Sequence, residues 1–318
     1  MRSRLRVPEN VPLVLLKVGT ALLVVTVIIG LVGLPRPRTH AARAAPPLAN
    51  PTRAATTTAP PPPATPAPVS LSWRSAGGLI VHTDQLDPTL AGELARANGF
   101  GWVAVQIADG ETQTPLVANW ISRFRAASGL PVGGWSVLRG NPDAEARLAA
   151  TLLVQNQLDF YIADAEQEYG LTNGVQQSVA HAHRSSEFIT AFRALEPAMP
   201  AALSSFCRAD EHDVDWGAWS AAGFAFLPQA YVDQLGPDGT PAECVTAAER
   251  WFPPSSIHPA LGIFTGPYPT PAPTDYAALL AEAGTTGFSL FPFENADSAT
   301  LAAYGNAIRT ATIAQPAP

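Results

Sequence analysis

Short apolar runs alternate with segments of helical period from Gly78 to the end of the chain. The first unit pairs a predicted strand at Leu79–Thr83 with a predicted helix at Pro88–Ala97, which stops at Asn98-Gly99. The seven further predicted strands cover residues 102–108, 132–137, 160–163, 201–206, 224–229, 258–264 and 287–291. The predicted helices that follow them cover residues 116–127, 141–155, 185–195, 215–222, 242–251, 274–283 and 298–309.

This alternation predicts an α/β fold with a parallel sheet. Eight strand–helix units in about 240 residues match a closed (β/α)8 barrel, the TIM barrel. An open, doubly wound sheet is the alternative. The first predicted strand is not followed by a Gly-rich phosphate loop, which disfavours a nucleotide-binding version of that open sheet.

The N-terminal part of the chain has a different pattern. Residues 18–34 form an uncharged apolar run, and residues 1–17 before it are basic and predicted to be cytoplasmic. We expect a single transmembrane signal anchor with the C-terminal domain outside, at the cell membrane. A signal peptide cut near Ala42-Arg43-Ala44, which would release a secreted protein, is the alternative.

Residues 35–70 are dominated by Pro, Ala and Thr, a composition that predicts a disordered, extended linker. The barrel domain is therefore expected at residues 71–318. Residues 1–53 hold eight of the 19 basic residues but only one of the 26 acidic ones, which leaves the remainder with a net charge of -14. A domain this acidic repels phosphate backbones, so no nucleic-acid partner is expected.

The two cysteines, Cys207 and Cys244, both lie in the part predicted to be exported. An even number of cysteines outside the cytoplasm favours a disulfide, and two separate buried thiols are the alternative. Cys207 falls at the end of the fifth predicted strand and Cys244 early in the sixth predicted helix. These positions are compatible with a bridge.

Polar side chains gather where the predicted strands end, and in a TIM barrel the working groups lie at those carboxyl ends. The candidates for substrate binding come from six of the strand ends and their loops. They are His82, Asp84, Gln106, Trp135, Glu168, Tyr169, Gln229, Tyr231 and Glu294.

The fourth predicted strand carries the most informative pattern. Phe160, Ile162, Asp164 and Glu166 share one parity and therefore one face, with apolar residues first and carboxylates last. This order predicts a strand whose inward face fills the barrel and then opens into a pocket. Two neighbouring carboxylates repel each other and separate their pKa values, so that one can hold a proton while the other is ionised.

Here the chain resembles the family 25 glycoside hydrolases, the barrel-shaped lysozymes. The resemblance covers about residues 100–170: Gly133-Gly134-Trp135-Ser136, the Ala-rich run 144–150, and Asp164-Ala165-Glu166 at the end of the fourth strand. Other barrel glycosidases, including chitinase-like ones, also carry Asp-x-Glu on that strand. Two features of family 25 differ. The aspartate that the family carries on the first strand is not cleanly matched in this chain, where His82 or Asp84 lies nearby. The Trp-Gln-Tyr that the family carries on its last strand is absent, and this chain has Phe291-Pro292-Phe293-Glu294 instead.

The resemblance implies that Glu166 donates a proton to the leaving sugar oxygen and that Asp164 orients or stabilises the charged intermediate. Trp135, Tyr169 and Tyr231 are candidates for stacking on sugar rings, with core packing as the alternative for each. Gln106 and Gln229 are candidates for bonding sugar hydroxyls, with backbone groups as the alternative partners.

The predicted function is a glycoside hydrolase acting on a cell-envelope or extracellular polysaccharide, with peptidoglycan among the candidates. A non-catalytic barrel that binds glycan or scaffolds surface proteins is the alternative. No cofactor is expected. His181-Ala182-His183 lies in a polar loop without a third ligand nearby, so no metal site is expected either.

Overall fold

The computed structural model describes residues 77–166, 168–170, 183–208, 214–264, 266–285 and 287–314. The predicted membrane anchor and the linker lie outside these residues. Within the described part of the chain, no helix combines the length and the apolar composition that crossing a bilayer requires.

In the described part of the chain, nine strands form one sheet. They are β1 (Gly78–Val81), β2 (Trp102–Asp109), β3 (Thr112–Gln113), β4 (Val132–Leu138), β5 (Tyr161–Ala165), β6 (Ala201–Phe206), β7 (Ala225–Ala230), β8 (Ala260–Gly262) and β9 (Ser289–Phe291). Every strand except β3 pairs in parallel with two neighbours, and β1 pairs with both β2 and β9. The sheet is therefore closed, which confirms the eight-stranded parallel barrel. The short strand β3 is an antiparallel extension of β2.

The helices lie outside the barrel. They are α1 (Pro88–Ala97), α2 (Trp120–Ser128), α3 (Pro142–Gln155), α4 (Arg184–Leu195), α5 (Trp216–Ala221), α6 (Val232–Leu235), α7 (Pro241–Ala248), α8 (Pro273–Glu282) and α9 (Ser298–Ala314). Their apolar faces and the outward side chains of the strands form one large core. Removing this apolar surface from water is the main force that holds the two layers together.

A second, smaller core fills the barrel itself. Trp102 and Phe160 meet edge to face at 5.4 Å, below a layer that includes Ile80, Trp135 and Ile162. Glycines make room for the two large rings. A Cβ at Gly78 would lie 1.9 Å from the Trp102 ring, and a Cβ at Gly133 would lie 2.2 Å from the Phe160 ring. Large and small side chains therefore alternate across the interior.

Most elements differ from their predicted bounds by a few residues, and three differences have local reasons. Helix α2 begins at Trp120 instead of residue 116, because Asn119 has φ 61°, a left-handed conformation that an α-helix does not contain. Strand β8 is shorter than residues 258–264, because Pro259 has no N–H to donate to the ladder. Helix α6 follows β7 directly and was not predicted, because four residues carry too little periodicity.

The disulfide is present, as predicted. Cys207 follows β6 directly, Cys244 lies in α7, and their Cα atoms are 4.7 Å apart. The bridge closes a loop across 37 positions of the chain and fixes α7 against the end of β6. Constraining a loop of this length in the unfolded state contributes about 3–4 kcal/mol to stability in the chain-entropy account.

Candidate active site

Two carboxylates emerge from the interior at the carboxyl end of β5. Phe160 and Ile162 belong to the core inside the barrel, and Tyr161, Ala163 and Ala165 belong to the outer core. Asp164 continues the inward face and is half-buried. Glu166, the next residue of the same parity, comes directly after the strand. The alternation predicted for this strand is therefore confirmed.

Gln229, at the end of β7, holds the two carboxylates together. Its Nε2 donates to Asp164 Oδ1 at 3.0 Å and to Glu166 Oε1 at 2.9 Å. Ser204 of β6 also hydrogen-bonds Asp164. An amide nitrogen has two hydrogens, so Gln229 can serve both acids at once but carries no charge to neutralise them. None of the ion pairs found among the described residues includes Asp164 or Glu166.

Asp164 keeps its proton at neutral pH. Burial, the largest cause, and the nearby negative charge of Glu166 together raise the pKa of Asp164 from 3.8 to about 8. Hydrogen bonds from Ser204 and Gln229 and the distant charge of Arg139 oppose this rise but do not cancel it. At pH 7 Asp164 is therefore mainly protonated, because ionising a buried carboxyl beside a second carboxyl group is costly.

Aromatic rings lie beside Asp164. A small pocket above Ile162 is lined by Asp164, Ser204, Trp135, Tyr231 and Phe291. Its free volume is about 20 Å³, which is room for about one water molecule. A sugar ring enters the described part of this pocket only if one of the aromatic side chains moves.

A second polar pair lies at the same end of the barrel, directly after β1 and in the turn after β9. His82 Nδ1 lies 2.5 Å from Glu294 Oε1. The Glu294 side chain is 5% exposed and that of His82 is 28% exposed, so the imidazole is the more accessible partner. The hydrogen bond to Glu294 raises the pKa of His82, and burial acts against this rise. The ring also contacts Trp135 at 5.3 Å between centroids.

The remaining predicted residues take different positions. Gln106 is half-buried on the same face of β2 as Trp102 and Ala104, which belong to the interior core. Asp84 is exposed in the turn Thr83–Gln85. Glu168 lies 3.4 Å from Arg139 in an exposed ion pair of low energetic value.

Tyr169 does not line the barrel mouth. It is 1% exposed and belongs to the outer core, where its hydroxyl donates to Glu145 Oε2 at 2.5 Å. The stacking role predicted for it is therefore corrected to core packing. Its position after the carboxylates suggested the mouth, but the chain has by then left the barrel and turned towards α3 and α4.

Sequence reasoning missed Glu145 and Ser204. Glu145, buried on α3, accepts from the Arg139 backbone N–H at 2.6 Å and from Tyr169. Tyr169 in turn donates its backbone N–H to the Glu166 carbonyl at 2.9 Å. Glu145 thus ties the ends of β4 and β5 to one helix and fixes the segment that carries Glu166. The sequence did not indicate this role, because a glutamate in an amphipathic helix usually lies on the surface.

No group of three or more potential metal ligands occurs among the residues that the structure describes. His181 lies outside them, and His183 directly precedes α4.

Comparisons with known proteins agree with this architecture. No protein-family model and no curated protein sequence matches the chain. Among solved structures, a GH18 chitinase from Pseudoalteromonas aurantia aligns with a TM-score of 0.57 and 11% identity, over 74% of this chain and 100% of that one. The fold is shared with glycoside hydrolases.

Two further structures align over a similar range. A putative chitinase A from Streptomyces coelicolor has a TM-score of 0.53 and 14% identity, over 77% of this chain and all of that one. A GH18 chitinase from Cycas revoluta has a TM-score of 0.53 and 9% identity, over 73% and 99%. Identities this low establish the barrel fold and leave activity open. The resemblance to family 25 stays a prediction.

Proposed function

We propose that the barrel is a glycoside hydrolase that acts on a cell-envelope or extracellular polysaccharide. One observation carries the proposal: Asp164 and Glu166 share the amide of Gln229 at the mouth of the barrel, where burial and the charge of Glu166 raise the pKa of Asp164 to about 8. Cleaving a glycosidic bond requires a proton donor for the leaving oxygen and a negative charge for the positive sugar carbon. The acid pair supplies both from one place.

The proposed roles follow from depth. Asp164 lines the pocket and holds the proton in the resting site. Glu166 lies one step nearer the open end. It takes this proton from Asp164, which becomes ionised, and passes it to the glycosidic oxygen as the C–O bond breaks. Asp164, once ionised, stabilises the positive charge at the sugar carbon. Water then adds to that carbon and returns a proton to the pair, so that one water is consumed for each bond cleaved. An acetamido group of the substrate is an alternative internal nucleophile.

Several features support polysaccharide as the substrate. Trp135, Tyr231 and Phe291 line the pocket with Asp164 and supply aromatic surfaces of the kind on which sugar faces stack. The three aligned chitinases carry the same fold, and one, from Cycas revoluta, was solved with allosamidin. Chitin-like and peptidoglycan chains are therefore the first substrates to test. The predicted membrane anchor would place the barrel outside the cell, where such chains occur.

The small free volume of the pocket favours a second candidate, a barrel that binds glycan without cleaving it. About 20 Å³ admits a water but not a pyranose ring. In this version Asp164 and Glu166 are hydrogen-bonding groups, and the barrel holds a polysaccharide at the rim of its mouth.

Digestion of purified peptidoglycan and chitin by the full chain separates the two candidates. We expect release of soluble fragments, and we expect Glu166→Gln to lower the rate by about 10²–10⁴-fold, the usual contribution of a positioned acid. Circular dichroism of the variant provides the folding control. Binding of a glycan without fragment release by the wild-type chain would replace the hydrolase with the binding protein.

A further inference from the structure

An exposed aromatic side chain lies on the loop that follows β8. Tyr268 is 47% exposed, whereas most other tyrosines among the described residues are buried. The loop connects the carboxyl end of β8 to α8, so it borders the mouth of the barrel where Asp164 and Glu166 lie. The pocket described above does not include Tyr268.

The ring of Tyr268 packs against the backbone of Gly236. A Cβ at Gly236 would lie 2.9–3.1 Å from three atoms of the ring, so one face of the ring packs directly on this glycine. Gly236 has φ +62°, a conformation that also favours glycine. The backbone N–H of Tyr268 donates to the Asp233 carbonyl at 3.0 Å. The ring is therefore held in place while almost half of its surface faces solvent.

Asp233 fixes both sides of this loop. Its carboxylate is buried, and Oδ2 accepts from the Phe264 backbone N–H at 2.6 Å and from Thr270 Oγ1 at 3.4 Å. Asp233 lies in the short helix α6 that follows β7, so these contacts join the loops after β7 and β8. Preorganisation of this kind lowers the entropy that a ligand has to overcome on binding.

Aromatic contacts connect this loop to the pocket. Phe264 lies 5.1 Å from Tyr231 and 5.5 Å from Phe291, measured between ring centroids. Tyr231 and Phe291 both line the pocket beside Asp164. Aromatic surface thus extends from the acid pair through Phe264 to the loop that carries Tyr268 at the rim.

We propose that Tyr268 is a stacking platform for a pyranose ring of a polysaccharide, outside the pocket and on the β7–β8 side of the mouth. The face of a pyranose presents C–H groups, which pack on an aromatic ring, and the tyrosine hydroxyl remains free to bond sugar hydroxyls at the edge. The inference rests on the proposed function for the class of ligand. It adds a binding position that lengthens the glycan contact beyond the carboxylates.

A matched control exists at the other end of the barrel. Trp251 is 37% exposed and stacks under Arg250, in the connection between α7 and β8. That connection leads to the amino end of β8, away from the mouth. An effect of exposed aromatic surface in general would appear at Trp251 as well as at Tyr268, whereas a subsite at the mouth would involve Tyr268 alone.

The test measures binding by isothermal titration in the Glu166→Gln background, which separates binding from cleavage. The ligands are N-acetylglucosamine oligomers of two to six sugars and soluble peptidoglycan strands. We expect Tyr268→Ala to weaken binding of the longest oligomers about tenfold and to leave the shortest unchanged. Tyr268→Trp should retain the affinity, and Trp251→Ala should have no effect. Thermal melting of each variant controls for folding.

The outcomes distinguish this inference from the proposed function. If Tyr268→Ala binds long oligomers as tightly as the parent, or loses short and long oligomers equally, the platform is wrong, and glycan cleavage by the wild-type chain would still support the hydrolase. If no ligand of the panel is bound or cleaved, both proposals fail.

Discussion

Two carboxylate clusters lie at the same end of this barrel and have opposite electrostatics. On β5 and β7, Asp164 and Glu166 share a neutral amide donor, and burial with like charge raises the pKa of Asp164 to about 8. After β1 and β9, Glu294 faces His82, and their contact raises the pKa of the imidazole.

The difference shows how partners decide what a buried acid can do. An acid beside another acid stores a proton at a cost in stability, which is a common property of catalytic groups. An acid beside an imidazole forms an ion pair that joins two distant parts of the chain. We therefore assign chemistry to the first cluster and closure of the β1–β9 seam to the second.

Of the substitutions in the two clusters, Asp164→Asn should have the largest effect on cleavage and on the pH dependence of stability. We expect Asp164→Asn to lower glycan cleavage by about 10²-fold or more and yet to stabilise the fold at high pH. Each unit of raised pKa corresponds to about 1.4 kcal/mol, and partial exposure reduces the effect, so we expect a gain of about 2 kcal/mol at pH 9. Urea unfolding at several pH values measures it.

The sign follows from proton binding. Between pH 3.8 and about 8 the folded wild-type chain keeps a proton on Asp164 that the unfolded chain has released, so stability falls as the pH rises through this window. Asp164→Asn should remove this slope and equal the wild type at pH 3. A variant that is less stable than the wild type at pH 9 would show that Asp164 supports the fold.

A substitution in the cluster of His82 and Glu294 should lower stability, whereas Asp164→Asn should raise it. We expect His82→Ala to cost about 2 kcal/mol at pH 6, because Glu294 would remain buried without its partner. Since the folded pKa of His82 is raised, its contribution is complete below pH 6.5 and declines as the pH passes the raised value. The cost should therefore be smaller at pH 9. An equal cost at both pH values would mean that packing against Trp135, not charge, is responsible.

Removing the hydrogen bond between Tyr169 and Glu145 should have the smallest effect on stability and activity. Tyr169→Phe keeps the ring but removes the hydroxyl that donates to Glu145, and we expect a loss of about 1 kcal/mol in stability. Because this hydrogen bond fixes the segment that carries Glu166, its loss should lower kcat several-fold. The core is unchanged, so KM should stay constant. A change confined to stability would show that Glu166 keeps its position without this link.

The barrel was predictable because its signals are local and repeated. Helix α1 and strand β6 have the predicted bounds, and the inward face of β5 was evident from the parity of Phe160, Ile162 and Asp164. Strand β3 and helix α6 are too short to produce a period. Two cysteines in a part of the chain predicted to be exported favoured the bridge between Cys207 and Cys244, which the structure contains.

The site was predictable only in part, because contacts across the barrel depend on register. The sequence placed Gln229 and Glu294 at strand ends but did not predict that one bridges two acids while the other pairs with His82. Tyr169 was misplaced because the direction of the chain after β5 depends on Glu145, 24 positions earlier. The narrowness of the pocket depends on how Trp135, Tyr231 and Phe291 pack together, which no single segment encodes.

The most direct test is a pH titration of the aspartate carboxyl carbons by NMR, with Asp164→Asn identifying the resonance of Asp164. The account predicts a midpoint near 8 for Asp164 in the wild type and a lower midpoint in Glu166→Gln, where the neighbouring charge is gone. A midpoint near 3.8 in the wild-type chain would mean that the pair holds no proton at neutral pH, and it would contradict the proposed acid.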